Sequence, residues 1–284
     1  MLGVATKGTI IMMQTTSPKL PKVFCIANQK GGVGKTTTAI NLAASLAKHG
    51  KKVLLIDLDP QGNATMGSGI DKTAVPHHLY NVLLGEMPVL EATVHSESGQ
   101  YDVLPSNREL SGAEIDLVNL PDREKRLQQA ILSVGNRYEY VLIDCPPALS
   151  LLTLNGFAAA NGVIIPMQCE YFALEGLSDL VNTIRRVHRN INPQLNLIGL
   201  LRVMFDTRVT LQQQVSAQLE THFKDKVFKA IIPRNVRLAE APSHGIPGVN
   251  YDHSSRGAIA YLAFAKELMD RVEREAKNHH QSAQ

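Results

Sequence analysis

The stretch Lys30-Gly31-Gly32-Val33-Gly34-Lys35-Thr36-Thr37 carries the residue types that hold a polyphosphate. Glycines let a backbone turn tightly and aim successive N–H groups at anionic oxygens. Lys35 brings a cation to the β- and γ-phosphates, the Thr36 hydroxyl is a hard oxygen ligand for Mg2+, and Thr37 is placed to meet the α-phosphate. The usual spacing asks for Gly, four residues, then Gly-Lys-Ser/Thr. Here the position of that first glycine is Gln29, and a second lysine, Lys30, follows it. Three aspartates complete the set: Asp57 and Asp59 in DLDPQGN, and Asp144 in YVLIDCPP. Asp144 follows four apolar residues and precedes Pro146-Pro147, the setting of a carboxylate that holds Mg2+ through a water. Capping of the next turn is the plainer use of a strand-end aspartate.

These groups need a scaffold that brings several strand ends to one place. KVFCIANQ (22–29) is an apolar run between Pro21 and the glycine loop, a buried strand. TTAINLAASLAKHG (37–50) has apolar residues at helical spacing and stops at Gly50, and KKVLLIDLD (51–59) is a second buried strand. Strand, loop, helix and strand make a βαβ unit, which implies a parallel sheet. The alternation continues with strands at 101–106, 138–147, 161–168, 196–205 and 226–233, and helices at 122–135, 174–191, 209–223 and about 255–277. Residues 60–100 read as short helices and a long connection. No linker or repeat divides the chain. The expectation is one doubly wound, mostly parallel α/β domain over residues 21–277, flanked by flexible tails at 1–20 and 278–284, with Met12 or Met13 as alternative starts.

KGGVGKTT resembles the deviant Walker A box of the ParA/MinD ATPases, which are P-loop NTPases of the SIMIBI type. IDLDPQGNAT (56–65), YVLIDCPPALSLLTLN (140–155), FALEGL (172–177) and IPRNVRLAEAPSHG (232–245) are similar to the ParA/Soj partitioning branch, so that the resemblance covers about residues 22–275. It implies an ATPase that uses ATP and Mg2+, forms a homodimer with ATP, binds DNA without sequence preference, and is reset by a ParB-like partner. In such proteins the extra lysine, here Lys30, crosses the dimer interface to the nucleotide of the other subunit, and Gly31 must stay small where two loops meet. The resemblance makes Asp59 the residue that positions the attacking water, places Asp57 near the Mg2+ shell, and makes Asp144 the Walker B carboxylate. With no further base in sight, slow basal hydrolysis is expected, which suits a switch. Pro233 and Arg234 border adenine by resemblance, and a proline ring and a guanidinium plane both pack on a purine. Arg208 and Arg237 are the candidates for DNA phosphates, with Arg185, Arg186, Arg189, Lys224 and Lys226 as possible extensions of the patch.

The bulk numbers agree with this class. The chain has 284 residues, 44% of them apolar, a net charge of +3 and a pI near 8.7. That balance permits contact with nucleic acid without demanding it. Cys25, Cys145 and Cys169 are an odd, sparse count in strand-like runs, which fits a reducing cytoplasm and buried thiols. No secretory signal and no membrane span are read, so a cytoplasmic, nucleoid-associated protein is expected. A MinD-like membrane-surface switch would need a terminal amphipathic helix. The last helix places Ile259, Leu262, Ala265, Met269 and Val272 on one stripe, which is read as packing on the sheet. An iron–sulfur reductase would need cysteines in glycine-rich loops, and an amidoligase related to cobyrinate synthases would need a glutaminase segment.

Overall fold

The computed structural model describes residues 20–282. The tail expected over residues 1–20, with Met12 and Met13, lies outside them except for Leu20. In chain order the elements are β1 (Lys22–Ile26), α1 (Lys35–Lys48), β2 (Val53–Asp57), α2 (Asn63–Gly67), α3 (Leu79–Leu84), α4 (Val89–Ala92), β3 (Val94–Ser96), β4 (Tyr101–Leu104), α5 (Leu110–Asp116) and α6 (Arg126–Leu132). β5 (Tyr140–Asp144), α7 (Leu151–Ala159), β6 (Gly162–Met167), α8 (Ala173–Asn190), β7 (Asn196–Phe205), α9 (Thr210–Phe223), β8 (Val227–Pro233), α10 (Val236–Glu240), α11 (Gly248–Tyr251) and α12 (Arg256–Ser282) follow.

The strands form one sheet in the order β3-β4-β2-β5-β1-β6-β7-β8. Every neighbouring pair is parallel except β3 with β4. The doubly wound expectation is met. β1 lies inside the sheet, and the chain winds to one side of it through β2 and to the other through β6 and β7. Ligands in such sheets bind outside the carboxyl ends of the strands at that reversal.

Both faces of the sheet are covered, which is why its strands read as unbroken apolar runs. Side chains alternate along β1. Phe24 and Ile26 pack with Leu42, Leu46, Tyr261, Phe264 and Leu268 from α1 and α12. Val23, Cys25 and Ala27 pack on the other face with residues of α3, α5, α6, α7 and α8. All three cysteines are free and buried, as expected of small apolar residues.

Three details differ from the sequence expectation. The helix read over 122–135 is helical only over Arg126–Leu132, because Asp122 is left-handed (φ 51°) and Asn155 of α7 caps the start. Asn155 Oδ1 accepts from Leu127 N at 3.1 Å and its Nδ2 donates to Arg123 O at 2.8 Å. The short strand β3 was hidden in the long connection. α12 runs on to Ser282, through most of the segment read as a tail from 278, and its buried stripe is rotated: Ala258, Tyr261, Phe264, Ala265 and Leu268 face the core, whereas Ile259 is 56% exposed.

Phe264 anchors α12 to β8, its ring edge-to-face with Phe228 at 4.8 Å and 87°. Phe264→Ala is expected to destabilise the fold by about 3–5 kcal/mol, read as a shifted midpoint in urea unfolding. A loss under ~1 kcal/mol would contradict this packing.

Candidate functional site

Residues 27–34 join β1 to α1 at the carboxyl end of the sheet. Asn28 pins the entrance: its Nδ2 donates to Pro166 O of β6 at 2.8 Å, and its Oδ1 accepts from Lys30 N at 3.0 Å. Gly32 and Gly34 take φ of +73° and +77°, conformations that side chains resist, and Gly34 is the N-cap of α1. Gly31 differs, because a Cβ there would meet nothing within 4 Å. Among the described residues, nothing crowds that position. Val33 is buried, and Thr36 and Thr37 open the first turn of α1, where backbone N–H groups lack partners and favour an anion.

Lys35 is only 8% exposed, with its Nζ donating back to Lys30 O at 3.0 Å. Burial lowers its pKa, and the nearby Asp144 and Asp59 charges oppose that shift. Asp57 and Asp144 end neighbouring strands in register, both wholly buried. Asp57 Oδ2 accepts from Thr65 N at 2.8 Å and Thr65 Oγ1 at 2.7 Å. Burial pushes its pKa up to about 6 against those bonds, with a further push from Asp59.

Neither oxygen of Asp144 has a hydrogen-bond partner of good geometry. Burial, then the Asp57 charge, raises its pKa well above the carboxylate range. The Thr36 hydroxyl and Lys35 favour the ionised form but are outweighed. An orphaned buried carboxylate is costly, and it marks a place where a cation or its water belongs. Mg2+ fits that donor set, since it keeps several waters and takes one or two carboxylates together with phosphate oxygens. Thr36 and Asp144 would hold it, with Asp57 one strand away. Among the described residues no cluster of three or more His, Cys, Asp or Glu is placed to cage a metal, so such an ion would rely on phosphate and water.

Asp59 is partly exposed at the rim, and its Oδ1 accepts from Gln61 N at 2.9 Å. Lys30 is exposed and ion-paired with Glu170, just beyond β6. On the same loop Gln168 Nε2 reaches Gly32 O at 3.3 Å and Met204 Sδ at 3.2 Å, and Met204 is left-handed (φ 50°) beside an irregularity of β7. Tyr171 and Phe172 follow, 74% and 73% exposed, their rings edge-to-face at 5.1 Å.

Lys30, Lys35, Thr36, Thr37, Asp57, Asp59 and Asp144 thus converge on one end of the sheet. Pro233 ends β8 and Arg234 follows it, three strands from β1, about 14 Å along the carboxyl end of the sheet. Arg208 and Arg237 lie elsewhere on the surface, and both are engaged. Arg208 is bound by Asp206 at 2.7–3.0 Å, and Arg237 by Glu240 at 3.0 Å and Asp252 at 3.6 Å. Sequence reasoning missed Asn28, Thr65, Ser106, Gln168 and Glu170. Polar residues directly after a parallel strand were the available signal for Asn28, Gln168 and Glu170, because such positions border the ligand crevice.

Comparison with known proteins agrees with this geometry. The AAA domain family model matches residues 21–197. The sporulation initiation inhibitor protein Soj of Bacillus subtilis is 51% identical over 247 residues, covering 87% of this chain and 98% of that protein. The chromosome partitioning protein ParA of Caulobacter vibrioides is 50% identical over 259 residues, covering 90% and 97%. Among solved structures, cobyrinic acid a,c-diamide synthase from Mycobacterium smegmatis with bound ATP analogue and magnesium is 37% identical, with a TM-score of 0.79 over 89% of this chain and 96% of that one. The chain has the fold of the P-loop ATPases and belongs to the ParA/Soj family within the AAA domain group.

The orphaned carboxylate makes a thermodynamic prediction. A carboxyl with a raised folded pKa binds its proton more tightly folded than unfolded. Its contribution to stability therefore falls as pH rises from the ordinary value through the folded one. Asp144→Asn removes that loss. Without nucleotide it is expected to be more stable than the parent at pH 8 by ~1–3 kcal/mol, with a smaller gain at pH 5, in urea unfolding. Equal or lower stability at pH 8 would contradict the assignment of Asp144 as an uncompensated buried charge.

Proposed function

We propose that the protein is an ATP-dependent DNA-segregation switch of the chromosome or plasmid partitioning type. The observation that carries this is Asp144, buried beside Lys35 and Thr36 with no hydrogen bond of good geometry among the described residues, in a chain about half identical to proteins named Soj and ParA. Lys35 and the loop N–H groups hold the phosphates of ATP, and Thr36, with Asp57 and Asp144, would hold Mg2+, which would neutralise phosphate charge there. Asp59, at the rim, orients the attacking water. Positioning and charge neutralisation account for most of phosphoryl-transfer catalysis, so little else is needed.

ATP closes two copies face to face. Lys30 then exchanges Glu170 for the phosphates held by the other subunit, where a dry interface strengthens its charge. The freedom of space around Gly31 and the exposed Tyr171–Phe172 pair on the same face support an approaching second copy. Hydrolysis is slow and a ParB-like partner stimulates it. Adenine lies at Pro233 and Arg234. DNA is bound without sequence preference, with Arg208 and Arg237 released from their acidic partners to meet phosphates. The protein works in the cytoplasm, on the nucleoid.

Nothing favours a membrane-surface role. α12 spends its apolar stripe on the sheet, and no helix among the described residues is long and apolar enough to cross a membrane. The synthase named among the solved structures is 37% identical, against 50–51% for the partitioning proteins, and its fold likeness gives no reason to assign amide formation here.

Asp59→Ala is expected to keep ATP-driven dimerisation and lose turnover, whereas Lys30→Ala binds nucleotide but stays monomeric in sedimentation. DNA affinity of the Asp59→Ala dimer should fall with log salt at a slope near −4 to −5, for about four to six phosphates. ATP hydrolysis with and without DNA and the cognate ParB-like protein completes the test. A monomeric Asp59→Ala protein under saturating ATP, or wild-type turnover in it, would contradict the proposal.

A further inference from the structure

Behind the aspartates lies a hydrogen-bond chain that neither the motifs nor the comparisons assign. Thr65, in α2, is wholly buried, as is Ser106, two residues beyond β4. The Thr65 hydroxyl accepts from Ser106 N at 3.0 Å. A backbone N–H can only donate, so the single hydroxyl proton of Thr65 is committed to its other partner, Asp57 Oδ2, at 2.7 Å. The direction of this chain is fixed by chemistry rather than left to a free rotor.

Ser106 also holds the neighbouring turn. Its hydroxyl donates to Asp59 O at 3.0 Å, and Gly62 N donates to the same oxygen at 2.9 Å. The carbonyl of Ser106 lies so close to Gly62 (φ +63°) that a Cβ there would approach it to 2.6 Å. The end of β4 thus grips the Asp59–Gly62 turn on two sides. Through Thr65 it also grips the carboxylate of Asp57. None of these contacts involves Thr65 or Ser106 with the nucleotide loop itself.

We infer that Thr65 and Ser106 are positioning residues: Thr65 sets the orientation of the Asp57 carboxylate, and Ser106 sets the backbone that presents Asp59 to water. The inference rests on the ATPase reading above and deepens it. Strands β2 and β4 are paired in register up to Ile56 and Leu104, and the relay ties α2 and the segment just beyond β4 to the carboxylate at the end of β2. A group held by packed strand ends keeps its geometry when the ligand arrives, which is what an outer-shell partner contributes.

Thr65→Val is near-isosteric and removes only the hydroxyl, while Thr65→Ser keeps the hydroxyl and removes a methyl. Outer-shell partners of a metal site typically govern about 10- to 100-fold in affinity or activity. Thr65→Val is therefore expected to lower kcat at least ~10-fold and to reduce the Mg2+-dependent gain in affinity for a fluorescent ATP analogue. Its analogue affinity in EDTA should stay at the wild-type level. Thr65→Ser should restore both quantities. Ser106→Ala is expected to lower kcat while sparing analogue affinity with Mg2+, because it releases only the Asp59 backbone. Should Thr65→Val fail to fold, Ser106→Ala decides the matter alone.

Wild-type kcat in Thr65→Val or, where that variant does not fold, in Ser106→Ala would overturn the inference. So would a Thr65→Ser variant as impaired as Thr65→Val, which would assign the effect to packing of the methyl group. Either result with an active, Mg2+-responsive wild type leaves the ATPase reading intact. A wild type that neither hydrolyses ATP nor binds the analogue more tightly with Mg2+ would overturn both.

Discussion

Two carboxylates buried side by side at the ends of adjacent strands are the constraint on which the rest depends. Asp57 and Asp144 face each other in register on β2 and β5, in the least exposed part of the sheet. Burial there raises the proton affinity of both, and the Asp57 charge raises that of Asp144 further. A cation carried in with an anionic ligand would supply the missing charge.

The surrounding architecture follows from that need. β1 lies beside β5 and delivers the glycine loop over the same end of the sheet, with Lys35 buried and folded back onto the loop. α1 contributes its free N–H groups. The two aspartates differ in support: Asp57 is held by Thr65, whereas among the described residues neither oxygen of Asp144 has a hydrogen bond of good geometry. At the rim, the Lys30–Glu170 ion pair and the Tyr171–Phe172 ring pair form an exposed face of charged and apolar groups. Such a face agrees with a site completed by a second copy.

Much of this was legible in the sequence because it depends on local pattern. Apolar runs ending in Asp57 and Asp144 marked parallel strands buried on both faces, and glycines before Lys35 marked the turn into α1. The order of strands was not legible: no local pattern marks β5 as the strand between β1 and β2. The partners of Arg208 and Arg237 were hidden too. Asp206 is near in sequence to Arg208, but only the turn after β7 brings its carboxylate onto the guanidinium, and Asp252 meets Arg237 across a loop. Thr65 and Ser106 escaped notice because their significance lies in a contact spanning 41 positions of the chain. The apolar stripe of α12 was misplaced because a long helix offers several plausible faces, and the rings of Phe228 and Phe264 decide between them.

The central claim is that the buried carboxylates await a hydrated cation delivered with a nucleoside triphosphate. Thermal unfolding of the wild-type chain with a non-hydrolysable ATP analogue, in Mg2+ and in EDTA, tests it most directly. A ligand that binds only the folded state raises the unfolding temperature in proportion to its binding free energy. The account predicts a clearly larger rise with analogue and Mg2+ together than with either alone. An equal rise in EDTA, or none in Mg2+, would contradict it.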